Sequence, residues 1–261
     1  MIGGADVVGV ALWSPGQPLA TAATARPAGR PRRRTSLITQ MVSEVAAQAA
    51  AHAGLTLGRP RIVVGSAFGE LGITVEMLGE WVDGGVLSPI RFQSSVHNSA
   101  AGALSIAHGN EAPAIALSAG NDTVAVALLE AMMMLRDGAG DVLVVIADEP
   151  LPGAIAPTAH TTALAAALVL AAPDGGASMA TATAMSIGRR RLAHLSDLRR
   201  APPPEPTAFR PVEVDAPCAA ILPLLQAIRE NHAGRISLAP PGIPGWSINV
   251  EPAPQPGPRT G

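Results

Sequence analysis

Residues 114–128 read AIALSAGNDTVAVAL. The four apolar residues 114–117 suit a strand, Ser118–Asp122 is a short turn of small and polar residues, and an apolar helix follows from Thr123 to Arg136. A strand that turns this tightly into a helix lifts one side chain to the carboxyl edge of a sheet. There it sits beside helix N-terminal amides that stabilise an anion. Ser118 is the candidate nucleophile of such an elbow, although Ala116 stands where a hydrolase elbow wants Gly. Asp122 or Thr123 is placed to cap the helix. The same segment also reads as a plain strand end followed by a capped helix.

Working outward, Asp6–Trp13 (DVVGVALW), Arg61–Ser66 (RIVVGS) and Asp141–Ala147 (DVLVVIA) are short Val-rich runs closed by turn residues, hence buried strands. Residues 161–172 and 177–187 read as two more. Helices are expected from a Thr35 or Ser36 cap to about His52, from Gly69-Glu70 to Trp81, over 99–108 and over 219–232. Residues 88–98, SPIRFQSSVHN, have neither helical nor strand period and read as a polar loop. Residues 26–34 (RPAGRPRRR) read as a solvated loop and 189–206 as an Arg- and Pro-rich excursion. Strands alternating with helices predict an α/β layer fold with a mainly parallel sheet and helices packed on it. One domain is expected over 1–235. A Pro-rich tail is expected over 236–261, extended except for a short strand near 246–250.

Composition removes several kinds of chemistry. All 18 cations of the 261-residue chain are Arg, so neither a Walker-type phosphate loop nor a Schiff-base Lys is available. One Cys excludes an internal disulfide and multi-Cys metal sites, and the six His lack metal-ligand spacing; no metal or cofactor is expected. A net charge of −2 and only six Trp plus Phe argue against binding nucleic acid. The longest apolar run, 163–172, is about half a membrane span, and no basic segment followed by an apolar run opens the chain. The expectation is a soluble cytoplasmic protein.

Within the polar block, His97 is a natural base at neutral pH, so a Ser118–His97 pair would make a serine acyl hydrolase or thioesterase-like enzyme. No acid recommends itself as the third member. Cys218 follows Pro217 at a helix start, without a neighbouring His, and reads as structural. Met132–Met134 cannot all share one helix face and read as core plus interface.

The run 87–102, LSPIRFQSSVHNSAAG, with the following SIAHG, resembles the β-ketoacyl synthase N-terminal family, and within it the short ketosynthase-like subunits of aryl polyene and related type II synthases. VVGVALWSPG, GSAFGE, ALSAGNDTVAVALLEA and DVLVVIADEPLP agree with it in the same order over about residues 5–190. The resemblance implies a thiolase-like half, a single βαβαβαββ unit. It also implies an elbow Cys at about Ala119–Asp122, where this chain has none, and two His from a second half that the chain does not supply. Condensation needs a thiolate to take the acyl chain and imidazoles to promote decarboxylation and hold the oxyanion. By resemblance, then, the expected role is a non-catalytic, chain-length-factor-like partner of a full-length β-ketoacyl synthase, with acyl carrier protein as third component. Phe92, Ser95, His97 and Asn98 are candidate tunnel or interface residues, with Asn121 and Asp122 at the inactive elbow.

Overall fold

The computed structural model describes residues 3–19, 35–155, 162–173, 191–201, 216–239 and 243–253. Its framework is one eight-stranded sheet. The strands are β1 (Ala5–Trp13), β2 (Arg61–Gly65), β3 (Ala114–Leu117), β4 (Asp141–Asp148), β5 (Leu164–Ala171), β6 (Ala193–Ala201), β7 (Gly234–Ser237) and β8 (Gly245–Pro252). They lie in the order β3-β2-β4-β5-β1-β6-β8-β7. The helices are α1 (Leu37–His52), α2 (Leu71–Val82), α3 (Pro89–Ser95), α4 (Ser99–His108), α5 (Thr123–Arg136) and α6 (Leu222–Arg229). The first five strands with their helices form the expected βαβαβαββ unit. β3, β2 and β4 are its parallel block. β5 runs antiparallel between β4 and β1, and the three later strands extend the sheet antiparallel from β1. Five of the eight strands point one way, yet the sheet is mixed, because β5, β6 and β7 return against their neighbours.

Both faces are covered, which is why residues 142–147 of β4 and all of β5 are apolar instead of alternating. Val142, Val144 and Ile146 of β4 face a core made with α5, α6 and the 3₁₀ turn Pro217–Ile221, while Leu143, Val145 and Ala147 face one made with α1 and α4. The α1 side is lined with small residues, Ala46 and Ala49 against Ala165 and Ala167. At Gly9 a Cβ would come within 2.4 Å of the Ala49 carbonyl, so α1 lies almost directly on β1. Ser36 caps α1, its hydroxyl accepting from Thr39 N at 3.1 Å.

Three expectations change. Residues 89–95 of the supposed loop are helix α3, with Pro89 in its first turn; Arg91 pairs with Glu76 and Glu80 of α2 and offsets the weak period of so short a helix. The excursion 189–206 contains β6, in which Ala193, Leu195 and Leu198 are buried; a bulge with Asp197 at φ 50° breaks the alternation that would have revealed it. The boundary at residue 235 runs through β7, and both β7 and β8 belong to the main sheet; the expected short strand is the longer β8. The Arg-rich segment 26–34 and the expected strand 177–187 lie outside the described residues.

Candidate functional site

Because β2, β3 and β4 are parallel, their carboxyl ends converge at one edge of the sheet. Ser66 follows β2, Ser118 follows β3, and Asp148 ends β4. Asp148 is 1% exposed and is the hub of this edge. Its Oδ1 accepts from Ser66 Oγ and from Ala67 N, each at 2.8 Å, and its Oδ2 accepts from Cys218 N at 3.1 Å. Burial raises its carboxyl above the usual range, against the pull of those hydrogen bonds. The Cys218 thiol is fully buried, faces the Leu164 carbonyl at 3.9 Å, and is pushed well above its ordinary pKa by burial and by Asp148. This is the opposite of an activated nucleophile.

The elbow is held from inside. Ala119 N donates to Thr123 Oγ1 at 3.0 Å, and the Thr123 hydroxyl donates to the Gly120 carbonyl at 2.7 Å. Gly120 takes φ 54°, which suits Gly at so tight a turn. Thr123 therefore satisfies the turn that Asp122 was also placed to cap. The Asp122 side chain makes no cap bond and instead accepts from Arg200 Nη2 of β6 at 2.8 Å. The Arg200 guanidinium lies 5.7 Å from the centre of the Trp246 ring of β8, so the late strands reach the elbow through these two side chains. Asn121 is exposed beside them.

The polar block comes to the same edge. His97 Nε2 hydrogen-bonds to the Ser66 carbonyl at 3.1 Å, and Ser95 Oγ donates to the Phe92 carbonyl at 2.9 Å. Phe92 is 60% exposed; Asn98 is exposed at the start of α4 without a side-chain cap bond. The exposed Ser118 hydroxyl donates to the Ala67 carbonyl at 2.8 Å. Ser118 and His97 thus grip successive carbonyls, Ala67 and Ser66, and not each other. The Ser–His pair considered for a hydrolase is not assembled, and the hydroxyl proton it would surrender is engaged elsewhere.

Behind the block lies an acidic pair that the sequence did not flag. Glu70, 3% exposed, accepts from Ser36 Oγ at 2.8 Å and Thr39 Oγ1 at 3.0 Å through Oε1, while its buried Oε2 has no hydrogen-bond partner. Burial, with Glu149 nearby, brings its pKa to about 7. Glu149 accepts from Gly72 N at 3.1 Å and is itself raised, chiefly by burial. Asp148, Glu70 and Arg200 were the site residues missed. For the first, an acid closing the apolar run DVLVVIAD was the available signal. Among the described residues, no group of three or more His, Cys, Asp or Glu is arranged to hold a metal. No described helix is long and apolar enough to cross a membrane.

Comparison with known proteins fits this geometry. No curated protein matches the chain. Among solved structures, a chain of the ketosynthase ApeO in complex with its chain length factor ApeC from Xenorhabdus doucetiae matches with a TM-score of 0.64 at 20% identity. The match covers 95% of this chain and 98% of that one. The ishigamide ketosynthase/chain length factor matches with a TM-score of 0.58 at 18% identity over 87% and 73% of the two chains. A β-ketoacyl synthase from Burkholderia phymatum STM815 gives 0.58 at 15% identity, over 77% of this chain and 64% of that one. These likenesses establish a thiolase-like ketosynthase fold. The family model for the β-ketoacyl synthase N-terminal domain matches residues 14–209, well over half of the sequence, and the chain therefore belongs to that family.

Proposed function

We propose that the chain is a non-catalytic, chain-length-factor-like subunit. It pairs with a full-length β-ketoacyl synthase in the cytoplasm and shapes that enzyme's acyl tunnel during elongation on acyl carrier protein, in aryl polyene or related polyketide or fatty acid biosynthesis. The observation that carries this reading is the elbow 118–122. It stands at the carboxyl end of a sheet's edge strand, in a ketosynthase-family fold, with no thiol in it. Without a thiolate, the elbow lacks the nucleophile that takes the acyl chain in a condensing enzyme. The sole Cys is buried and engaged with Asp148 and Leu164. Among the described residues β3 pairs only with β2, and an edge left unpaired is a ready template for a partner strand. The reading is supported by likeness to a ketosynthase in complex with its chain length factor, matched over 98% of the chain concerned, and to a ketosynthase/chain length factor.

In this reading Phe92, Ser95, His97 and Asn98 border the partner's acyl channel, with Asn121 and Asp122 at the inactive elbow. Phe92, the largest and 60% exposed, sets depth by bulk. The test is co-expression with a full-length synthase. The expected outcome is a heterodimer on size exclusion, with turnover retained in Cys218→Ala and products shifted to longer chains in Phe92→Ala. The isolated chain is expected neither to condense malonyl and acyl thioesters nor to be labelled by a fluorophosphonate. Labelling that disappears in Ser118→Ala, or a complex that loses turnover in a folded Cys218→Ala, would overturn it.

A further inference from the structure

β6 changes faces part of the way along. Ala193 and Leu195 enter the core made with α5, and regular alternation would next send residues 197 and 199 there. The bulge between Ser196 and Arg199 inserts one residue, so Leu198 is the next to enter that core, and Arg200, two further on, shares its face. Without the extra residue Arg200 would fall on the opposite face, away from α5 and the elbow. Asp197 carries the bulge at φ 50°. Its carbonyl accepts from Arg235 Nη1 of β7 at 3.2 Å and its carboxylate from Arg235 Nη2.

Arg200 thereby stands directly across from Trp246 of β8, which packs against the same core, and its Nη2 reaches Asp122 Oδ2 at 2.8 Å. Arg199, between Leu198 and Arg200 and so on the other face, pairs with Asp197 at 3.5 Å. A Cβ on Gly245 would lie 3.9 Å from Asp122 Oδ1, so the start of β8 runs close to the other carboxylate oxygen. Asp122 is the one charged residue between Glu111 and Glu130. Ser118, Ala119, Gly120 and Asn121, the exposed part of the elbow, are uncharged. The polar block beside them holds no Asp, Glu, Lys or Arg over residues 92–98.

We infer that Arg200 is a positioning residue of the elbow. It neutralises Asp122 within the chain and turns the carboxylate toward β6, so that the elbow presents Ser118 to Asn121 to a synthase partner without a bare charge. This rests on the proposed pairing with a synthase. The magnitudes separate two roles for the ion pair. The Arg200 and Asp122 side chains are 71% and 29% exposed, and a pair so open to water adds little to folding. A carboxylate left without its counter-charge must instead be stripped of water when a partner docks against it, which costs far more. The effect of the pair therefore falls on association and hardly on stability.

The experiment uses the full chain with a co-expressed full-length synthase, its affinity measured by biolayer interferometry and each variant's melting followed separately. Arg200→Ala should melt close to the wild type yet bind the synthase about tenfold more weakly or worse, because Asp122 is left bare. Adding Asp122→Asn in that background should return the affinity to within about threefold of the wild type. Arg200→Lys, which keeps the charge, should bind nearly as the wild type does. Were Arg200 only a brace for β6 and β8 through Trp246, the single and double variants would lose affinity and melting temperature alike. That result would overturn the inference, as would wild-type affinity in Arg200→Ala or an equal loss in Arg200→Lys, and each leaves the pairing itself standing. A wild-type chain that forms no complex with the synthase would overturn both.

Discussion

The imidazole of His97 lies directly over the Cα of Gly69: a Cβ on Gly69 would come within 2.7 Å of His97 Cδ2. Gly69 also has φ 58°, and its N–H donates to Ser66 Oγ at 2.8 Å. One glycine therefore lets the GSAFGE turn reverse, lets His97 reach the Ser66 carbonyl, and ties both to Asp148 through Ser66. Gly69→Ala meets a left-handed backbone and a ring contact together, so a loss of about 2–3 kcal/mol is expected. Urea unfolding checks it. An unchanged midpoint would mean that the ring moves aside freely.

Glu70 makes stability depend on pH in an unusual direction. Its folded pKa of about 7 is above the ordinary 4.5, so between those values the folded state holds more proton than the unfolded chain. The stabilising effect of the neutral carboxyl is complete below pH 4.5 and is lost as pH rises through 7. The chain should lose on the order of 2 kcal/mol from this group over that window, and Glu70→Gln should flatten that part of the profile. Chemical denaturation at half-unit pH steps measures both; parallel profiles for the two proteins would refute the assignment.

Asp148 receives three donors at a site with almost no water access. Asp148→Ala leaves them unpaired and should cost about 3 kcal/mol or more, while Ser66→Ala should cost about 1–2 kcal/mol. Thermal melts of the pair give the order. A Ser66 variant as damaged as the Asp148 variant would shift the hub to the hydroxyl.

Cys218 should be inert while the chain is folded. Its thiol is fully buried and held protonated, so a disulfide reagent such as DTNB should react only as fast as the chain opens, and stoichiometrically in denaturant. Fast native labelling at pH 8 would show an accessible thiolate.

Much of this protein was legible from its sequence because the signals are local. The apolar runs at 6–13, 61–66 and 141–147, the Ser36 cap and the strand–turn–helix at 114–136 each lie within one contiguous stretch, and all appear as strand, cap or helix in place. The SPxRFxxSVHN block carried the family. What escaped was short, bulged or set by distant partners. α3 needs Arg91 to reach Glu76 and Glu80, and β6 hides behind the bulge at Asp197. β7 and β8 gain their order from pairing with β6 and each other, despite a Pro-rich context.

By itself, the sequence determined the alternation of strands with helices and the absence of Lys, since each is a matter of residue type and near spacing, while the family resemblance it carries implied the βαβαβαββ unit and the missing elbow thiol. Tertiary structure alone decided that Ser118 and His97 turn to separate carbonyls, that Asp122 serves Arg200 instead of its helix, and that Glu70 keeps a buried oxygen unpaired. Those outcomes depend on which groups, tens of residues apart, the sheet brings within hydrogen-bond reach. They depend equally on which of them burial deprives of water, and no local pattern of residues encodes either.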